Sequence, residues 1–141
     1  MSTSSKAELD SVNEILIPIS PGELLDKLTI LQIKVERMTD PVKVANVKTE
    51  LGMLSKVWSE AVEVDAEIAK LTAELKAVNE TLWKIEDDIR DEERNKRFDE
   101  RFIELARAVY VTNDERANAK KKVNLHLNSS IVEEKSYQDY K

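Results

Sequence analysis

From Val42 to Lys141 no proline interrupts the chain, and a single glycine, Gly52, does. The other glycine is Gly22, and the prolines are Pro18, Pro21 and Pro41. Hairpin turns draw on glycine and proline, so a turn-rich β fold is excluded and long helices remain. The same scarcity removes glycine loops of the Walker and dinucleotide kinds. Cysteine is absent and His126 is the only histidine. Disulfides, thiolate metal sites, a cysteine nucleophile and multi-histidine centres are therefore excluded. A chain of 141 residues is long enough for one domain with its own core.

Helix punctuation is strong. Ser20-Pro21-Gly22-Glu23 reads as a capping box: the Ser20 hydroxyl takes an amide of the first turn, and Glu23 reaches back to the Ser20 amide. Leu24, Leu28, Leu31, Val35 and Met38 then step by four and three, which predicts a helix over about 21–38 with one buried face. Asp40-Pro41 stops it and caps the next. Over 41–94 there are two apolar seams. Val44, Val47, Leu51, Leu54, Trp58 and Ala61 form one; Val64, Ile68, Leu71, Leu75, Val78, Leu82, Ile85 and Ile89 form the other. They are out of step by one residue. The favoured reading is a stammer in one long, bent helix, about 75 Å long for roughly 50 residues. The alternative is a break near 59–65, where Ser59 and Asp65 are both competent caps. Asp99 caps a last helix over about 99–127, in which Thr112–Glu115 marks either a polar patch or a kink.

The ends are read separately. Residues 1–13 are polar and aperiodic and are expected to form a flexible tail. Residues 14–19 are expected to lie extended on the helices and bury their isoleucines, with Pro18 barring a central strand. The C-terminal segment with Glu134, Lys135 and Tyr137 is expected to dock, ordered, near the second hairpin. The expected fold is all-α: an elongated bundle of antiparallel helical hairpins forming a single domain over 14–141. Turn positions set the register. In the first hairpin Leu25 meets Leu54, Leu28 meets Leu51 and Val35 meets Val44. In the second, Trp83 meets Tyr110, Asn79 meets Asp114, and Glu86 pairs with Arg107.

The net charge of −6 is unevenly spread. Residues 59–93 hold twelve acids against four bases, a net −8. Residues 94–122 hold nine bases against five acids, a net +4. Segments of opposite sign suit an antiparallel pair. Nucleic acid is not expected as a partner, because the basic segment is interleaved with acids and the whole chain repels phosphate. No apolar stretch is long enough for a membrane span, and the first residues lack the apolar core of a signal peptide, so the expected location is the cytoplasm.

Two clusters carry usable chemistry. Trp83, Glu86, Arg90 and Arg94 lie on the helix before the last turn. Arg107, Tyr110, Asn113, Asp114 and Arg116 lie on the helix after it. Together they form an acid–arginine–aromatic layer suited to a planar anion or a sugar, or one that only fixes helix register. Asp87, Asp88 and Asp91, at helical spacings, are the only arrangement that suggests a divalent cation. Arg90 and Arg94 on the same turns favour a solvated, ion-paired face instead. No catalytic residue, resident metal or cofactor is expected.

The segments Glu14–Leu31, Val78–Arg94, Phe102–Asn124 and Glu133–Tyr140 together resemble a family of small bacterial and bacteriophage proteins of unknown function. The resemblance implies no activity or cofactor. It implies that LWKIEDDIRDEER, ARAVYVTNDERA and EEKSY belong to one recurring arrangement. The expected function is a non-enzymatic binding or assembly module acting as a homodimer. The alternative is a small anion-, sugar- or nucleotide-binding protein, or a metal-dependent hydrolase, using the polar layer.

Overall fold

The computed structural model describes residues 13–141 and contains four helices: α1 (Pro21–Arg37), α2 (Pro41–Ala61), α3 (Ala66–Arg94) and α4 (Glu100–His126). The tail expected over 1–13 lies, but for Asn13, outside the described residues. Each helix begins on a local cap. Ser20 Oγ accepts from the Glu23 amide, Asp40 from Val42 and Lys43, Asp65 from Ile68, and Asp99 from Arg101. Glu23 does not complete the capping box, because its carboxylate turns to Lys120 of α4 at 2.6 Å. α3 and α4 each end on a left-handed residue, Lys96 and Asn128. The amides of Arg97 and Ser129 then close back on Glu92 and Asn124, which satisfies the last carbonyls.

The expected single helix over 41–94 is broken. Val62 turns extended while its amide still reaches Trp58, and Asp65 restarts the helix. The one-residue slip between the seams explains the break: it rotates the second seam by about 100° relative to the first. Among the described helices the α2 backbone approaches α1, whereas α3 packs between α1 and α4. α4 stays helical through Thr112–Glu115 and shows no kink.

α1 is the central element and touches all three other helices; α3 and α4 form an antiparallel hairpin on one side, and α2 covers the other. The core is Leu24, Leu25 and Leu28 of α1, Ile68, Leu71 and Leu75 of α3, and Ala119 and Val123 of α4. Leu51, Leu54 and Trp58 pack against it. α2 nevertheless contains no fully buried residue.

Three expectations fail on orientation rather than on height. Glu86 pairs with Arg90, one turn along its own helix, and Arg107 is exposed. The buried stripe of α4 runs through Leu105, Thr112, Ala119 and Val123. Arg107 sits two residues, or about 200°, from Leu105 and so points outward. Asn79 meets α1 rather than Asp114, and the ring beside Tyr110 is Tyr140 rather than Trp83. The antiparallel register itself holds, since Asp88–Arg101, Glu74–Lys122 and Asp65–His126 bridge α3 and α4 in order. The segment before α1 is extended, but it does not bury its side chains: Ile15 is 75%, Leu16 88% and Ile17 68% exposed. The apolar face of α1 is already covered by the other three helices, so the segment finds no apolar groove there.

Candidate functional site

A polar joint crosses the bundle where α1, α3 and α4 meet. Asp26 and Thr29 lie three apart on α1, among the core leucines. Asp26 is 1% exposed. Arg116 of α4 grips both of its carboxylate oxygens, with Nε on Oδ1 at 2.9 Å and Nη2 on Oδ2. From α3, Asn79 Nδ2 donates to Asp26 Oδ1 and to Thr29 Oγ1, both at 2.9 Å. Thr29 in turn donates to the Asp26 carbonyl. A carboxylate this deep requires a paired cation and satisfied lone pairs, and it receives both. The hydrogen bonds to Asp26 hold the Arg116 guanidinium above its already high range.

One and two turns further along α4 a second joint fixes the start of α1. The Gly22 amide donates to Asn124 Oδ1 at 2.7 Å. A methyl group at Gly22 would overlap the Lys120 carbonyl oxygen and stand 2.9 Å from Asn124 Oδ1, so only glycine lets the helices approach this closely. The Lys120 ammonium lies between Glu23 at 2.6 Å and Glu133 at 2.9 Å. Burial pushes it down, but the bonds it donates to Glu23 and Glu133 outweigh that and hold it above its usual range.

The C-terminal segment folds back along α4. Glu133 meets Lys120, Glu134 meets Lys121 at 3.6 Å, and Lys135 meets Asp114 at 3.1 Å. The Tyr140 ring stands edge-on to Tyr110, centroids 5.0 Å apart. Hydrogen bonds from Tyr140 and then Lys135 hold the Asp114 carboxyl below its usual range, and the Asp114 bond holds the Tyr140 hydroxyl above its own. Between segment and helix runs a cleft of about 1100 Å³, walled by Tyr110, Asn113, Asp114, Arg116, Ala117 and Lys120 on one side and residues 133–140 on the other. A second groove of about 440 Å³ lies between α1, α3 and α4, lined by Ile30, Asn79, Leu82, Trp83, Glu86, Asp87, Arg90, Asn113 and Arg116. Asn113 and Arg116 belong to both.

Most of the expected layer therefore divides between two adjoining clefts. Trp83, Glu86, Arg90, Asn113 and Arg116 line the smaller; Tyr110, Asn113, Asp114, Arg116, Glu134, Lys135 and Tyr137 line the larger. Arg94 pairs with Asp91 at the end of α3, and neither it nor Arg107 lines a cleft. Asp88 is bridged to Lys84 and Arg101, and Asp91 to Arg94 and Arg97. Among the described residues, no group of three or more acidic, histidine or cysteine side chains is placed to hold a metal. Among the same residues, each cation lining a cleft already has an acid: Arg90 has Glu86, Arg116 has Asp26, Lys120 has Glu23 and Glu133, and Lys135 has Asp114. Sequence reasoning missed Asp26, Thr29 and Asn79, the residues on which the site is built. Their signal was polarity at core-facing spacings, Asp26 and Thr29 between Leu25, Leu28 and Leu31, and Asn79 midway between Leu75 and Leu82.

No helix among the described residues is long and apolar enough to cross a membrane. Residues 15–140, which include all four helices and both clefts, match the family described as Family of unknown function (DUF6165), and the chain belongs to it. No curated protein and no solved structure matches the chain.

Proposed function

We propose that the protein is a non-enzymatic assembly module that pairs with a second copy of itself through α2. The supporting observation is that α2, 21 residues long and carrying an apolar seam, buries none of them. A surface helix normally confines its apolar residues to one core-facing stripe, yet α2, whose backbone approaches α1 alone among the described helices, carries apolar residues beyond that stripe. Val42, Met53 and Val57 stand exposed on it. Gly52 lies mid-helix with open space where a side chain would be. A glycine there costs about 1 kcal/mol relative to alanine, and nothing among the described residues needs it. Close approach of another helix would.

A second copy is the occupant that charge favours. α2 carries Lys43, Lys48 and Lys56 against Glu50 and Glu60, close to neutral in a protein of net charge −6. Two α2 helices meet without the repulsion that α3 faces would impose. The expected self-pairing thus narrows to α2, because the α3 seam is covered by α1 and α4.

Sedimentation equilibrium tests the reading. The wild-type chain is expected to reach twice its monomer mass at micromolar concentration. Met53→Glu with Val57→Glu is expected to return it to the monomer with unchanged helicity. A wild-type chain that stays monomeric at the highest concentrations overturns the proposal.

A further inference from the structure

The groove between α3 and α4 has chemistry that self-association does not use. Its floor is Asn79, 5% exposed. The side-chain NH2 of Asn79 is held by Asp26 and Thr29. That orientation is forced, because the opposite one would set the amide oxygen against the Asp26 carboxylate. The carbonyl Oδ1 accepts no hydrogen bond from the described residues, which leaves a fixed acceptor lining the groove. Arg116 uses Nε and Nη2 on Asp26, so Nη1 is left with its donors. The Asn113 amide has no hydrogen-bond partner among the described residues and adds both a donor and an acceptor. Trp83, Leu82 and Ile30 supply apolar wall. The volume of about 440 Å³ falls within the range usual for small-ligand sites, roughly 300–1,000 Å³.

Charge then decides the class of ligand. Asp26, Glu86 and Asp87 stand against Arg90 and Arg116, three acids to two bases, and both bases are already paired. An anion entering here gains no free cation and meets surplus negative charge. An uncharged ring with hydroxyl groups meets no such penalty. Each hydroxyl both donates and accepts, which suits an acceptor on Asn79 and donors on Arg116 in one groove lining, and the C–H face of such a ring packs on an indole. We propose that the groove formed by Asn79, Trp83, Asn113 and Arg116 binds a neutral sugar residue. The larger cleft opens from the same Asn113 and Arg116 toward Tyr110, so a longer glycan has room to continue under the C-terminal segment.

The test is an NMR titration of the 15N-labelled full chain with methyl glucoside, methyl mannoside and methyl N-acetylglucosaminide, with inorganic phosphate and adenosine run in parallel. At least one glycoside is expected to shift the Trp83 indole resonance saturably, with millimolar affinity, while the Trp58 indole stays in place. Trp58 packs on the core and lines neither cleft. Asn113→Ala is expected to weaken binding about tenfold, as the loss of one or two hydrogen bonds would, with the melting temperature unchanged. Failure of all three glycosides to move Trp83 overturns the proposal. So does a shift produced by phosphate or adenosine but by no glycoside, or an equal shift of both indoles. None of these outcomes depends on whether the chain self-associates.

Discussion

Replacing Arg116 by alanine should destabilise the protein by about 3 kcal/mol. The carboxylate of Asp26, 1% exposed, would keep one bond from Asn79 at 2.9 Å and lose both bonds from the guanidinium. Stranding one member of a buried ion pair costs about 3–5 kcal/mol. The Arg116 side chain is 30% exposed, so water can enter the vacated space and hydrate one carboxylate oxygen, which places the loss at the low end. Against a total stability of about 5–15 kcal/mol this is a large fraction. In a chain of this size it corresponds to a fall in Tm of about 10 °C. Asp26→Asn keeps the shape and removes the charge, and the Asn79 amide can still donate to the new carbonyl oxygen. Its loss should be smaller, about 1–2 kcal/mol. Urea unfolding followed by circular dichroism at neutral pH measures both, and the double variant completes the cycle. Once Asp26 carries no charge, losing Arg116 leaves nothing stranded, so the double variant should lose about 2 kcal/mol less than the two single losses added together. The cation itself is constant in that range, because the bonds to Asp26 raise an already high pKa. An Arg116→Ala variant within about 1 kcal/mol of wild type, or additive losses, would refute the claim that this pair ties α1 to α4.

The two glycines should respond oppositely to alanine. Gly22→Ala drives a methyl group into the Lys120 carbonyl and displaces the Gly22–Asn124 bond, and should cost about 1–3 kcal/mol. Gly52→Ala meets nothing within 4 Å and should stabilise the isolated chain by about 0.5–1 kcal/mol while weakening self-association. Thermal melts of both variants at low concentration check the pair. Docking of the C-terminal segment should depend on pH at both extremes. The Asp114 carboxyl is held below its ordinary 3.8, mainly by Tyr140, so its contribution is present above that value and lost as pH falls through the folded one. The Tyr140 hydroxyl is held above its ordinary 10.0 by Asp114, so its contribution is present below that value and lost as pH rises through the folded one. The NMR contact between the Tyr110 and Tyr140 rings, whose centroids are 5.0 Å apart, should therefore weaken in strong acid and in strong base. A contact unchanged on both sides would sink this account.

Caps and seams were legible in the sequence because they are local. Ser20, Asp40, Asp65 and Asp99 each bond an amide two or three residues away, so dipeptides and spacings suffice to find them. Rotation about the helix axis was not legible. Between Leu75 and Leu82 the three–four rule is met equally by Val78 and by Asn79, and polarity alone favours valine. The structure buries Asn79 and leaves Val78 half-exposed, because an amide at 79 can answer Asp26 and Thr29 on α1. Asp26 was hidden for the same reason: its partners lie 53 and 90 residues away, beyond any local pattern. Which residue sets the rotation can be tested by alanine at each position. If the apolar seam sets it, Val78→Ala should cost more than Asn79→Ala. If the polar joint sets it, the order reverses. Asn79→Ala removes two bonds, one of them to a carboxylate, and should cost about 2–3 kcal/mol. Val78→Ala removes two half-buried methyl groups and should cost about 1 kcal/mol. Urea unfolding resolves that difference, and a larger loss at Val78 would mean that the joint merely decorates a rotation fixed by the leucines.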